Sequence, residues 1–171
     1  MKQSPDVYVL LGSNIDPYEN MKRALAYLRA HCEVLAVSSV YRTPPQEFLD
    51  QDDFLNMAVK LHTQLDAMSF KTKIGGGLEK ALNRVRDPNN RAGPRTIDLD
   101  ISLWGDAVFE YGHKPWRVPD KDILRFAYVA IPLAELAPDF IHPETGQTLS
   151  QIAASLDASG IEKLALDLND M

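Results

Sequence analysis

The stretch Gly93-Pro94-Arg95-Thr96-Ile97-Asp98-Leu99-Asp100-Ile101 alternates apolar and acidic residues. Side chains in a strand point to alternate faces, so the pattern predicts Ile97, Leu99, Ile101 and Leu103 in a core, with Asp98 and Asp100 together on the opposite face. Two like charges held that close repel unless a divalent cation or several cationic groups neutralise them. Hard oxygen ligands suit magnesium, which binds through one or two carboxylates plus waters and substrate phosphates. Arg84, Arg86, Arg91 and Arg95 crowd the segment leading into this strand. Guanidinium forks match phosphate oxygens, so the constellation points to phosphoryl-type transfer. The plain structural alternatives are a solvated strand face and a surface ion-pair network.

A chain of 171 residues, 45% apolar and 25% charged, is the size and composition of one ordinary soluble domain, and residues 1–171 are read as a single domain. The net charge of −6 argues against a nucleic-acid-coating protein and makes the arginine cluster a local feature, with small molecules as the expected partners. Cys32 is the only cysteine, which excludes an internal disulfide framework and fits a reducing cytoplasm. Residues 1–11 lack the charge and apolar run of a signal peptide, and no apolar stretch is long enough to span a membrane. The expectation is a cytoplasmic protein, monomeric, with no membrane partner.

Residues 7–11 read as a buried strand ended by Gly12-Ser13-Asn14, after which Asp16-Pro17 caps a helix reaching about His31. Residues 34–41 and 54–61 are strand-like, and the polar, proline-bearing stretch between them, which includes Glu47, is longer than a tight hairpin needs. Ile74, Leu78, Leu82 and Val85 keep helical spacing, but Gly75-Gly76-Gly77 predicts a broken or late-starting helix, each glycine costing about 0.5–1 kcal/mol. No Gly-Lys-Ser/Thr follows, so this is no Walker-type loop. Gly105-Asp106 predicts a hairpin into residues 107–111, residues 112–120 a loop, and Pro132 a break in the next helix, which stops near Pro138. A short helix at residues 149–156 and an edge strand at 162–166 complete the chain. The order describes an α+β sandwich, close to the ferredoxin-like plan, with a mainly antiparallel sheet flanked by helices.

Five segments together resemble the 6-hydroxymethyl-7,8-dihydropterin pyrophosphokinases of folate biosynthesis: Leu11-Gly12-Ser13-Asn14, Tyr41-Arg42-Thr43-Pro44-Pro45, Phe54-Leu55-Asn56 with Ala58-Val59, the acidic stretch itself, and Pro132-Leu133-Ala134-Glu135-Leu136-Ala137-Pro138. The resemblance runs from about residue 7 to 150. It implies transfer of pyrophosphate from ATP to the pterin hydroxymethyl oxygen, with attack at the β-phosphorus and AMP leaving. On this basis Asp98 and Asp100 would hold two magnesium ions, while Arg84 and Arg95 clamp the transferred group. Phe54 and Tyr128 match the aromatic rings that sandwich the pterin, Asn56 matches the reader of its amide edge, and Thr43, Pro44 and Pro45 match backbone contacts to the ring. Glu79, Arg86 and Ile101 match positions around the nucleotide, and Arg91 joins them in the arginine cluster.

Three positions depart from the family pattern. Asp120, followed by Lys121, stands where a histidine is usual; Phe126 replaces an arginine, with Arg125 one residue early; and Ala92 replaces a tryptophan. All lie on parts the family uses to engage ATP, so the chain is expected to bind ATP more weakly than its relatives. Two other readings follow from the same residues. One is a diverged paralogue acting on another pterin-like alcohol, or binding pterin with little turnover; the other is a non-enzymatic interaction module. Asp-x-Asp also serves glycosyltransferases, but their folds are larger and lack the Gly-Pro-Arg lead-in.

Overall fold

The acidic stretch forms an edge of the sheet in a computed structural model that describes residues 4–46, 48–166 and 168. In chain order the elements are β1 (Val7–Ser13), α1 (Pro17–His31), β2 (Glu33–Val37), β3 (Val40–Thr43), β4 (Phe54–His62) and α2 (Ala67–Ser69). A π-helical turn (Phe70–Gly75) leads into α3 (Gly76–Ala81), followed by β5 (Asp98–Trp104), β6 (Phe109–Tyr111) and β7 (Trp116–Val118). A 3-10 turn (Lys121–Leu124), α4 (Ala127–Leu136), α5 (Leu149–Ser155) and β8 (Glu162–Leu164) close the chain. The strands run β5-β1-β4-β3-β8, with β2 also paired to β4, and every pairing is antiparallel. This is the ferredoxin-like α+β sandwich that the element order predicts. Among the described residues no helix is long and apolar enough to cross a membrane.

All seven residues of β1 are buried, because helices cover both faces of the sheet. One face packs Val7, Val9, Leu11, Leu99 and Ile101 against Met21, Leu25 and Leu28 of α1 and Phe70, Ile74 and Leu78 of the α2–α3 segment. The other packs Tyr8, Leu10, Ala58 and Leu103 against Val129, Ala130 and Leu133 of α4 and Ile152 of α5. Leu103 therefore lies on the face opposite to the one its alternation predicts. The β1–β5 register shifts between Tyr8 and Val9, which face Leu103 and Ile101, and the extra residue, Ser102, resets the alternation.

Other local expectations yield to tertiary packing. Asp16 sits at the start of α1 with φ 42° and makes no side-chain cap; Asn20 instead donates to the Ile15 carbonyl at 2.6 Å. The glycine run does not break its helix, which continues from the π turn through Gly75-Gly76-Gly77 into α3. A Cβ on Gly77 would lie 2.3 Å from the Tyr27 hydroxyl, so the missing side chain is what lets this helix approach α1. Pro132 is buried inside α4 rather than ending it. Its cost of about 3 kcal/mol in a helix interior is met by packing between α5 and the sheet.

Residues 34–41 are divided between β2 and β3, both pairing with β4. At the join, Ser38 keeps the ladder: its N–H donates to the Ala58 carbonyl at 2.9 Å and its hydroxyl accepts from the Ala58 N–H at 2.8 Å. The expected β5–β6 hairpin is absent, since Gly105 donates back to the Asp6 carbonyl and β6 pairs with β7, inside the stretch read as a loop. A Thr148/Gln151 capping box starts α5. The edge strand β8 stops at Leu164; Glu47, Asp167 and the last three residues lie outside the described residues.

Candidate active site

Strand register places one row of residues across the sheet: Asp98 faces Gly12, Gly12 faces Asn56, and Asn56 faces Tyr41. Gly12 makes the middle of this row low. A Cβ there would come within 3.0 Å of Asn56 Oδ1. Asp100 follows Asp98 by two residues and so lies on the same face, opposite Leu10. Above the row opens a cleft of about 390 Å³ lined by Asp98, Asp100, Asp120, Arg91, Arg95, Thr43, Pro44, Phe54, Asn56 and Tyr128, among others. The acidic pair and the candidate ring-binding residues thus share one space.

Asp98 is gripped from two sides: Arg84 donates to Oδ1 at 3.0 Å and Arg95 to Oδ2 at 3.2 Å. Burial pushes its carboxyl up, but Arg84, Lys71 and Arg95 together hold it below the ordinary aspartate range. Asp100 has weaker support, with Lys71 Nζ at 3.4 Å. Burial and the Asp98 charge push it up to about 7, against the pull of Lys71. Asp120 faces the same cleft and is also pushed up by burial, to about 6, while its carboxylate accepts from the Asp122 N–H at 2.9 Å. Asp100 and Asp120 are thus each raised in part by neighbouring carboxylates, a repulsion that a bound divalent cation would relieve.

The donor set fits magnesium. Among the described residues no group of three or more acidic, histidine or cysteine side chains is placed to hold a metal, so two carboxylates would need water and phosphate oxygens to complete an ion's shell. Lys71 was not legible as a site residue. It comes from the π turn on the other side of the sheet, passes the outer edge of β5, and reaches both the Leu99 carbonyl and Asp100.

The other candidates divide among three places. Arg84, Arg86, Arg91 and Arg95 border a second cleft of about 300 Å³, joined to the first through Arg91 and Arg95. Arg84 is only 7% exposed, enclosed between Glu79 and Asp98. Its guanidinium meets both carboxylates while bordering the second cleft. Glu79 also binds Arg86 at 2.7 Å and so organises both arginines. Ile101 packs in the core and borders a third recess with Lys71, Tyr111 and Trp116. Pro45 is buried and lies outside the lining of the main cleft.

Two walls flank the space for a flat ring. On one, Phe54 carries the Arg95 guanidinium 5.5 Å from its ring centre, and Asn56 Nδ2 donates to Thr43 Oγ1 at 2.6 Å. On the other, Tyr128 stacks on Phe126 with centroids 5.3 Å apart, and Arg125 lies over Phe126 at 4.9 Å. Arg125, though one residue early in sequence, therefore lines the cleft through Phe126. Asn14 and Gln51 tie the loops beneath: Asn14 Oδ1 accepts from the Arg95 N–H, its Nδ2 donates to Gln51, and Gln51 donates to the Ala92 carbonyl.

Fold and site define a ferredoxin-like α+β sandwich whose acidic edge strand and arginine cluster have the chemistry of a phosphate-transferring enzyme. Residues 8–138 match the family described as 7,8-dihydro-6-hydroxymethylpterin-pyrophosphokinase (HPPK), and the chain belongs to that family. It is 38% identical over 160 residues to a 2-amino-4-hydroxy-6-hydroxymethyldihydropteridine pyrophosphokinase of Methylorubrum extorquens, covering 92% of this chain and 97% of that protein. The protein of the same description from Pseudomonas aeruginosa is 37% identical over 161 residues, covering 92% and 96%. Among solved structures, a Plasmodium falciparum HPPK-DHPS triple mutant with pteroate aligns with a TM-score of 0.72 at 10% identity, over 96% of this chain and 47% of that one. That likeness speaks to the fold.

Proposed function

We infer that the protein transfers pyrophosphate from ATP to the hydroxymethyl oxygen of 6-hydroxymethyl-7,8-dihydropterin in folate biosynthesis, working as a single-domain, cytoplasmic monomer. The observation that carries this reading is the row Asp98, Gly12, Asn56, which sets a metal-type carboxylate and a ring-reading amide on either side of a glycine gap. The pterin hydroxyl oxygen attacks the β-phosphorus, the bond from that phosphorus to the α-phosphate oxygen breaks, the hydroxyl loses its proton to solvent water, and AMP leaves with the bridging oxygen. Two magnesium ions held by Asp98 and Asp100 would acidify the hydroxyl and spread phosphate charge.

The chain's own residues do the positioning. Phe54 and Tyr128 would hold the pterin from its two faces, and Asn56, fixed by Thr43, would read its amide edge. Arg95 is anchored by Asn14 and projects between Phe54 and Asp98, from where it can meet the transferred group. Arg84 acts by holding Asp98 in place; Glu79, Arg86, Arg91 and the backbone at Ile101 and Pro45 complete the nucleotide and pterin surroundings. Incubation with ATP, magnesium and the pterin should release AMP, and Asp98→Ala and Asp100→Ala should abolish it. Absence of AMP from the unaltered protein would overturn the reading.

Two further outcomes follow from the site. Gly12→Ala forces Asn56 to give way and should raise the KM for pterin about fivefold, roughly 1 kcal/mol of hydrogen-bond geometry, with the KM for ATP unchanged. Asp120 adds a carboxylate beside Asp98, Asp100 and Asp122 in a cleft that must accept a triphosphate. Titration with a non-hydrolysable ATP analogue and magnesium should therefore give an affinity weaker than that of relatives carrying histidine, and Asp120→His should restore it about tenfold. Equal affinity before and after that substitution would refute the role given to Asp120.

A further inference from the structure

Helix α4 is apolar apart from one charged side chain, Glu135, which lies outside the main cleft. Its carboxylate accepts from the Tyr41 hydroxyl at 2.6 Å and from the Ser39 backbone N–H at 2.7 Å, with Lys163 at 3.8 Å. Burial pushes this carboxyl up, but the bonds from Tyr41 and Ser39 outweigh that and hold it below the usual glutamate range. Ser39 lies at the join of β2 and β3. Tyr41 stands directly opposite Asn56 in register and two residues before Thr43, so all three share the face toward α4.

The helix places Tyr128 in its first turn and Glu135 in its last, about two turns apart on one rigid body. Its other contacts with the sheet include Val129, Ala130 and Leu133 in one apolar cluster with Tyr8, Leu10, Ala58 and Leu103. Such packing is non-directional and tolerates small slides, whereas two short charge-assisted hydrogen bonds fix distance and angle. We propose that Glu135 is a positioning residue for the pterin pocket: by tying the end of α4 to Tyr41 and Ser39, it sets the gap between Tyr128 on the helix and Phe54 and Asn56 on the sheet. This rests on the pterin reading above.

The test uses Glu135→Gln, which keeps size but faces one of the two donors with an amide N–H. Pterin binding is followed by its fluorescence and nucleotide binding with an ATP analogue, alongside kcat, both KM values and thermal unfolding. The pterin Kd and KM should rise about tenfold while ATP-analogue binding stays constant. Tyr41→Phe, which removes one of the two bonds, should give a smaller rise of the same kind, and decides the matter alone if Glu135→Gln does not fold. Unchanged pterin affinity in a folded variant, or an equal loss for both ligands, means that Glu135 only stabilises the fold and overturns the proposal. Failure of the unaltered protein to bind pterin is a separate result, overturning the function and this inference with it.

Discussion

Asp98→Asn and Asp100→Asn should each lower turnover by about three orders of magnitude, the scale expected when a charge-stabilising ligand is lost from a phosphoryl-transfer site, yet should move stability in opposite directions. Asp98 is the acceptor for two arginines, and a neutral amide there offers both a poorer partner. Thermal unfolding of Asp98→Asn should come earlier than that of the unaltered protein. Asp100, its side chain 47% exposed, faces the Asp98 charge with one lysine in partial compensation. Removing its charge relieves that repulsion, so metal-free Asp100→Asn should unfold a few degrees later. Calorimetric scans beside AMP-release assays check both. Equal destabilisation by the two substitutions would mean that the acidic pair is balanced in the resting protein, contrary to the geometry.

The second large effect belongs to Arg84. Its guanidinium is held between Glu79 and Asp98, so Arg84→Met takes away the cation that the two carboxylates share and leaves Arg86 on one and Arg95 on the other. Breaking a buried pair costs about 3–5 kcal/mol, and with these partners left the loss should lie at the low end, about 3 kcal/mol, which for a domain of this size lowers the unfolding temperature by roughly 10 °C. Arg86 meets the same Glu79 but is 59% exposed, and Arg86→Met should cost under about 1 kcal/mol. Adding Glu79→Gln to Arg84→Met should recover part of the loss, because one of the two remaining carboxylate charges is then removed. Similar stabilities for the Arg84 and Arg86 variants would contradict the enclosure of Arg84.

How much of this was legible depended on whether the governing interaction was local. Period-two alternation is a property of the strand itself, so residues 97–101 gave the correct face for Asp98 and Asp100. Leu103 defied the pattern because Ser102 bulges, a feature set by pairing with β1 rather than by the residues of β5. Pro132 and the glycine run each followed a sound local rule and were overruled by a buried helix interface and by Tyr27. The three-residue strands β6 and β7 carry too little pattern to be distinguished from loop.

In the site, the motifs identified the candidates but not their bonding. Nothing near Lys71 in the sequence points to Asp100, since their meeting depends on a helix from one layer reaching round the sheet edge. Likewise the spacing of Arg84 relative to Asp98 is visible, but its enclosure by Glu79 is not. The row from Asp98 to Tyr41 joins four strands distant in sequence, so it exists only once the register is set.

Among the described strands, β5 pairs with β1 alone, yet its outer backbone is not bare: the Leu99 carbonyl accepts from Lys71 Nζ, and the Ser102 carbonyl from the Asp120 N–H at 2.9 Å. Lys71 and the Asp120 backbone thus close an edge that a strand of another molecule could otherwise extend. The segments that shape the acidic cleft also guard the sheet against self-association. A loss of activity in Lys71 variants is therefore interpretable only with light scattering or size-exclusion evidence that the protein has remained dispersed.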